Sequence, residues 1–439
     1  MRDMRKPWLS FFIMNTQALI AALKAGTHDA ALTALYGADM LDTQRTRYIA
    51  AVEGFCDTYG DGEDVSVFTV AGRSEISGNH TDHNFGCVIA ASINLDIIAV
   101  AAKTDDTIIR IKSEGFPEDV IDYTDETVDE NKFFTSGAII TGVCKGFSDH
   151  GYKVGGYRAY TTSNVLKGSG LSSSAAFEDM VGNILNYFYN DGSIDNAEIA
   201  KISQFAENKY FGKPCGLMDQ VACAVGGFVA IDFGTPGKPI IEKMNFDLTA
   251  HGYSLCIVST GGNHADLNED YASVPAEMKK VAAHFGKPIL RDVTMEELIA
   301  AISALREETG DRAILRAFHF INENQRVKAQ TKALLKGDLD AFFAGVLSSG
   351  NSSFEYLQNV YTTKNVAEQG LSLALALSQN YLCDKGGAWR VHGGGFAGTT
   401  QAFVKNEDVP GYRALIDGAF GEGACIVLKV RAVGAGKVI

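Results

Sequence analysis

The sequence predicts an α+β chain, and three observations carry that expectation. Short runs of β-branched and apolar residues, such as "DVSVFTVAG" (64–72) and "NLDIIAVAAK" (94–103), alternate with longer segments of helical periodicity. A mainly helical stretch runs from about residue 266 to 380, and strand patterns return after it at "AWRVHGGG", "TTQAFVK" and "ACIVLKVRA". The change of pattern puts a domain boundary near 245–255 in a chain of 439 residues, long enough for two or three domains.

Residues 16–59 read as helical, with Ile49, Val52, Phe55 and Tyr59 at helical spacing. Strands come next at 64–72, 94–103 and 106–113, and another at "GYRAYTTSNV" (156–165). Helices are predicted over 134–149, 172–190 and 195–210, then strands at "GGFVAIDF" and "GYSLCIVST". No short tandem repeat or low-complexity linker interrupts this order.

Composition narrows the function classes. Hydrophobic residues make up 46% and charged residues 21%, the balance of a globular protein. A net charge of −14 argues against an extended nucleic-acid surface but leaves room for a local anion pocket. The 8 cysteines are scattered with no C-x-x-C pair, which fits a reducing cytoplasm better than a zinc clip or redox pair. No apolar run reaches the ~18 residues of a membrane span. Basic residues before "WLSFFIM" look like the start of a signal peptide, yet the run breaks at Asn15-Thr16-Gln17, and Lys24 interrupts the next apolar stretch. A cytoplasmic protein is expected, with Met14 as an alternative start.

Four segments carry polar chemistry. "GSGLSSSAAFEDM" (168–180) places two glycines and three serines between a strand and a helix. It is a phosphate cradle, using free N–H groups and the positive helix end, or a plain serine cap. It matches neither G-x-x-x-x-G-K-[ST] nor G-x-G-x-x-G. "VAGRSEISGNHTDHNFG" (70–86) crowds Arg73, Glu75, Asn79, His80, Asp82 and His83 into one turn. That composition suits recognition of a polyhydroxyl compound. His80, Asp82 and His83 could instead hold a metal, and a solvated loop is the plain alternative. In "AENKYFGKPCGLMDQVACAVGG" (206–227), Asp219 opens an apolar helix after a glycine turn carrying Lys213. It is a dipole partner or a base on a rigid element. "WRVHGGGFAGTTQAF" (389–403) is a tight β turn or a backbone surface for a ligand.

In this order, these segments resemble the galactokinase branch of the GHMP small-molecule kinases, from about residue 36 to the end of the chain. "GRSEISGNHTDHNFG" is similar to the signature G-R-V-N-L-I-G-E-H-T-D-Y-N-x-G, and "GSGLSSSAA" to the ATP-binding motif. "AENKYFGKPCGLMDQ" resembles the segment of the catalytic aspartate, and "GGGFAGTT" the third glycine-rich motif. The resemblance implies a two-domain GHMP kinase fold, a ribosomal-protein-like N-terminal domain and a ferredoxin-like C-terminal domain with the site between them. It places a helical extension at 1–44, the N-terminal kinase domain at 45–248 and the C-terminal domain at 249–439, whose last strand returns to the N-terminal domain.

The implied reaction is ATP-dependent phosphorylation of the anomeric hydroxyl of galactose. Asp219 matches the catalytic base and Arg73 the arginine that assists it. Gly168, Ser169, Gly170, Leu171, Ser172, Ser173 and Ser174 would hold the nucleotide phosphates, and Ser174 with Glu207 would bind Mg²⁺. Asn79, His80, Thr81, Asp82 and Tyr271 would contact the sugar. The partners implied are ATP and galactose or a related monosaccharide, with no nucleic acid and no membrane, and a monomer is expected. Among the departures from the signature, Glu75 replaces Asn, Asn79 replaces Glu and His83 replaces Tyr. The exchange at Asn79 opens a sugar acid such as galacturonate as an alternative substrate, because an amide does not repel a carboxylate. A non-catalytic sugar sensor is the alternative from another class, opposed by the intact Asp219, Arg73, Ser174 and Glu207.

Overall fold

The structure is a computed structural model that describes residues 14–165, 170–235, 237–262 and 267–439. Its first sheet holds β1 (Met14–Asn15), β2 (Asp64–Ser77), β3 (Cys87–Lys103), β4 (Ile108–Ser113), β5 (Glu118–Asp122), β6 (Tyr157–Ser163), β7 (Phe228–Asp232) and β8 (Ile240–Met244). The main path runs β1-β2-β3-β6-β4-β5, and β7 joins the other end of β3 and carries β8. Pairings are antiparallel except β4 with β6.

The long strand β3 changes partner along its length. Ile97–Lys103 pair with β6, whereas Cys87–Ala91 pair with β7. Both faces are covered, so β3 is almost continuously apolar rather than alternating. On one face Val65, Val67, Ile98 and Val100 meet Leu19, Leu32, Val52 and Phe55 from the helices α1 (Thr16–Lys24), α2 (Asp29–Tyr36) and α3 (Leu41–Tyr59). On the other, Phe68, Val70, Ala99 and Ala101 meet residues of α4 (Ser136–Asp149), α5 (Ser173–Tyr189), α6 (Asn196–Ala206) and α7 (Met218–Val225). The period-2 geometry of a strand sorts these two sets.

The helical stretch consists of α8 (Asn268–His284), α9 (Met295–Ala300), α10 (Ile302–Glu308), α11 (Asp311–Lys336), α12 (Leu339–Ser352) and α13 (Gly370–Leu382). A second, antiparallel sheet is made of β9 (Tyr253–Ser259), β10 (Ala388–His392), β11 (Thr399–Lys405) and β12 (Cys425–Leu428), ordered β10-β11-β9-β12; α12 packs on one face, and α13 with α14 (Val409–Phe420) on the other. A last strand, β13 (Gly436–Lys437), returns to pair with β2. Arg431 on that returning tail is fully buried and bonds Asp96 of β3 at 3.0 Å. Asp96 also takes Arg47 of α3 at 2.5 Å, so one carboxylate ties helix, sheet and tail together.

The strand and helix patterns read from the sequence recur, with differences. Strands β5 and β8 and helix α14 have no counterpart among the predicted elements. The β5 residues "EDVID" alternate only between half-buried and exposed, leaving little apolar signal. The predicted helix 195–210 ends in a π turn at Glu207–Phe211, one residue wider than an α turn. Strand β2 runs to Ser77 and bulges twice, between Ala71 and Arg73 and between Glu75 and Ser77. Both bulges fall in the segment with the densest polar chemistry, where they re-aim side chains. Among the described residues, no helix is long and apolar enough to cross a membrane.

Candidate active site

The phosphate loop is described from Gly170 onward; Gly168 and Ser169 lie outside the described residues. Leu171 is buried and anchors the loop, its carbonyl accepting from the Arg73 N–H at 3.0 Å. Ser172 takes the left-handed conformation at φ 59° and caps α5 without a side-chain bond to the helix. Its hydroxyl goes to Asp219 Oδ2 instead, at 2.5 Å. The first N–H groups of α5, on which Ser173 and Ser174 sit half-buried, are thus left for an anion. This geometry decides against a plain serine cap.

Asp219 lies in the first turn of α7. Arg73 grips it with both arms of the guanidinium, Nε to Oδ1 at 2.9 Å and Nη2 to Oδ2 at 2.7 Å. The remaining Arg73 nitrogen donates to the Gly170 carbonyl. Burial pushes the Asp219 carboxyl up, but Arg73 and Ser172 outweigh it and hold the group below the usual carboxylate range. Asp219 is therefore an ionised, oriented acceptor, the form a base requires.

Glu207 opens the π turn and is buried. Lys213 Nζ sits on its Oε1 at 3.0 Å and Gln220 Nε2 on its Oε2 at 2.7 Å. The Glu207 carboxylate and the Ser174 hydroxyl in the first turn of α5 are both hard oxygen donors. That chemistry fits Mg²⁺, which keeps water and phosphate ligands and needs few from the protein. The three-residue metal reading of His80, Asp82 and His83 is not supported. His80 Nε2 is bound to the Gly394 carbonyl at 2.8 Å, and no group of three metal-ligating side chains occurs among the described residues.

The sugar loop leaves β2 and turns through His80, held at φ 57°. Burial lowers the His80 pKa, so the ring is neutral; with Nε2–H on Gly394, its Nδ1 is an acceptor. The Asp82 carboxylate faces Gly216, in the turn before Asp219; a Cβ there would come within 2.7 Å of Oδ2. Tyr271 of α8 closes on the glycine turn from the other side, its hydroxyl 2.8 Å from the Gly395 carbonyl and its ring edge-on to Phe396. His80 and Tyr271 thereby meet at the glycine turn, and Asp82 lies against the turn that leads to Asp219.

Asn79 and Thr81 are different, and their expected contact with a sugar is corrected. Asn79 is fully buried. Its amide donates to Glu75 at 3.0 Å and to the Gly393 carbonyl at 2.7 Å, and its oxygen accepts from Asn359 at 2.8 Å and Ser353 at 3.2 Å. Thr81 is also buried, with its hydroxyl against the carbonyls of Gly78 and Cys87 at 2.9 and 2.7 Å. Both side chains spend their hydrogen-bonding capacity on the protein, Thr81 around its own loop and Asn79 on β2, the glycine turn, Asn359 and Ser353.

Sequence reasoning missed the support under this loop. Along α11, Arg316, His319, Glu323 and Gln330 are buried polar residues at helical spacing. His319 bonds the Asn79 carbonyl at 2.9 Å, Glu323 the Gly78 N–H at 3.0 Å and Gln330 Ser77 at 2.6 Å. Arg390 of β10 bonds the Ile76 carbonyl at 2.8 Å and Glu75 at 3.2 Å. The polar spacing on α11 was the available signal; Arg390 offered none.

An anion cradle at a helix start, a guanidinium-clamped carboxylate beside it and a polar loop fastened to a second sheet define a phosphotransferase acting on a small polar molecule. Comparison with known proteins agrees. The family model "GHMP kinases N terminal domain" matches residues 138–227, and "Galactokinase galactose-binding signature" matches 53–103. A galactokinase of Streptomyces coelicolor is 31% identical over 84% of this chain and 92% of its own. One from Actinobacillus pleuropneumoniae serotype 5b is 32% identical over 83% of this chain and 92% of its own. The structure of Lactococcus lactis galactokinase complexed with galactose covers 89% of this chain and all of its own, with a TM-score of 0.73 at 24% identity. A mevalonate kinase shares the fold at a TM-score of 0.57 and 13% identity. The chain belongs to the galactokinase family, and its fold is that of the GHMP kinases.

Proposed function

We propose that the protein transfers the terminal phosphoryl group of ATP to the anomeric hydroxyl of galactose, giving galactose 1-phosphate and ADP. One observation carries this reading: the Asp219 carboxylate is held jointly by Ser172 of the phosphate loop and Arg73 of the sugar-loop strand. The base thus stands where the phosphoryl donor and the sugar must meet. Asp219 accepts the proton of the attacking hydroxyl as the new O–P bond forms and the bond to ADP breaks. Arg73 keeps Asp219 ionised and offsets charge on the transferred group. The N–H groups at the start of α5 orient the phosphates. Ser174 and Glu207 would hold Mg²⁺, whose charge neutralises the phosphate oxygens. His80, Asp82 and Tyr271 bind and orient the sugar.

The case for a sugar acid rested on an Asn79 amide facing the substrate. That amide is turned to Glu75 and Gly393, which favours galactose as the acceptor. The eight unpaired cysteines support a reducing compartment, the cytoplasm.

The test is ADP release with galactose, glucose, N-acetylgalactosamine and galacturonate at varied Mg²⁺, with NMR of the product. Galactose-dependent ADP release that needs Mg²⁺ and yields an anomeric phosphate is expected. No ADP release with any sugar would leave the non-catalytic sensor standing, and a preference for galacturonate would overturn the substrate assignment. Ser174→Ala and Glu207→Ala should each raise the Mg²⁺ concentration for half-maximal rate; unchanged titrations in both would remove the metal assignment.

A further inference from the structure

Strand β10 ends on His392, just before the triple-glycine turn. Phosphoryl transfer through Asp219 and Arg73 gives it no direct part. It is buried, yet both ring nitrogens are engaged. Nε2 lies 3.1 Å from the Ser74 hydroxyl and Nδ1 lies 2.9 Å from the Thr399 hydroxyl. The Ser74 hydrogen is committed to Gln401 Oε1 at 3.3 Å. Ser74 therefore accepts from His392 Nε2–H, and Nδ1 accepts from Thr399. With the ring neutral, this chain of bonds puts its proton on Nε2. Burial, then the nearby Arg73 and Arg390 cations, hold the ring neutral with a pKa of about 3.

The position of the ring matters more than its charge. Ser74 directly follows Arg73 on β2, next to the first bulge. The Cε1–Nδ1 edge of the ring lies beside the phosphate loop, where a Cβ on Gly170 would meet Cε1 at 3.5 Å and Nδ1 at 3.6 Å. The Gly170 carbonyl accepts from the Arg73 guanidinium. His392 is thus bonded to the strand that carries Arg73 and lies close beside the loop that receives it.

We propose that His392 is a positioning residue for phosphoryl transfer: it seats Ser74 and Gly170 so that the Arg73 guanidinium meets Asp219 in register with the phosphate loop. The proposal rests on the assignment of Arg73 and Asp219. Displacing a catalytic group by about 1 Å through a distant support can cost on the order of 10²-fold in rate. Loss of His392 should lower kcat without loosening the sugar site.

The experiment uses the full chain and four variants, His392→Phe, His392→Gln, Ser74→Ala and Thr399→Val, with Asp219→Ala as control. Steady-state kinetics with ATP and galactose are measured across pH, beside melting temperature. In His392→Phe, kcat should fall roughly 10- to 100-fold, with the galactose KM within about twofold and the acid limb of kcat moved to higher pH, because Asp219 loses its tight contact with Arg73. His392→Gln, whose amide reaches the Nε2 position, should recover most of the rate. Ser74→Ala should shift kcat and the acid limb in the same direction, and it serves as the deciding variant if His392→Phe does not fold. Thr399→Val should act likewise but less. A His392→Phe enzyme (or Ser74→Ala, in its place) with kcat within about twofold of wild type and an unmoved acid limb overturns the proposal. So does a rate loss that tracks melting temperature and that His392→Gln does not relieve. Retained activity in Asp219→Ala would instead overturn the underlying assignment of the base.

Discussion

The Ser172 hydroxyl donates to the Asp219 carboxylate at 2.5 Å, although Ser172 stands at the cap position of α5. A cap residue normally turns its oxygen onto the helix N–H groups. Here the hydroxyl goes to Asp219, the proposed base, and the first N–H groups have no side-chain cap. The phosphate cradle and the proton acceptor are therefore parts of one assembly: a shift of the loop moves both.

Asp219→Ala should lower kcat by about 10²–10⁴-fold, the usual cost of losing a general base. ATP affinity should stay within a few-fold, because the carboxylate acts on the sugar hydroxyl. Rapid-quench measurement of the chemical step, with nucleotide binding by calorimetry, checks this. A normal chemical step in a folded variant would falsify the assignment.

Arg73→Gln should move the acid limb of the rate profile to higher pH. Burial raises the Asp219 carboxyl and Arg73 more than reverses it, leaving the pKa depressed in the folded enzyme. Without the guanidinium the raising influence is opposed only by the Ser172 bond and the Lys213 charge. The base then protonates at a higher pH, and activity is lost earlier on acidification. The same depressed pKa contributes stability above the unfolded value of about 3.9, lost as pH falls through the folded value. An unshifted limb in kcat/KM would show that another group sets it.

Asn79→Asp should destabilise the protein, and more at neutral than at acid pH. The new carboxylate would lie against Glu75 and the Gly393 carbonyl, where the amide now donates. Burial already raises the Glu75 pKa above its ordinary value, against the pull of Arg390 and Arg73. A carboxyl raised on folding costs stability as pH rises from its unfolded value of about 4.3 toward the folded one. Melting temperatures at pH 5 and 7.5, relative to wild type, should show a deficit that widens with pH. Equal stability at both would mean that Asn79 is not locked into this network.

Asp96→Ala should cost about 3–5 kcal/mol in urea unfolding, because it leaves the buried Arg431 and the half-buried Arg47 without their carboxylate partner. Asp96 is itself fully buried; desolvation raises its pKa, and the two arginines reverse that to a net lowering. The tail carrying Arg431 and the helix carrying Arg47 should loosen together, visible as faster amide exchange in both. A cost within about 1 kcal/mol would remove Asp96 from this role.

The sequence by itself determined the periodicity, and with it most helices and strands, because burial of one face leaves a repeat in the residues. It also determined the reaction class, since Arg73, Ser174, Glu207 and Asp219 stand in motifs whose order is diagnostic. Those motifs left open which polar atoms face a substrate and which face the protein. Asn79 and His80 are neighbours in the same motif, yet one is sealed by four protein partners and the other leaves an acceptor nitrogen. Adjacent residues on a bulged turn point in different directions, and only the packing of α11 and β10 against that turn decides which is spent. For the same reason His392 reads in sequence as one more residue before a glycine run. Its bond to Ser74 and its place beside Gly170 span more than two hundred residues of chain, and no local pattern records a hydrogen bond closed at that distance.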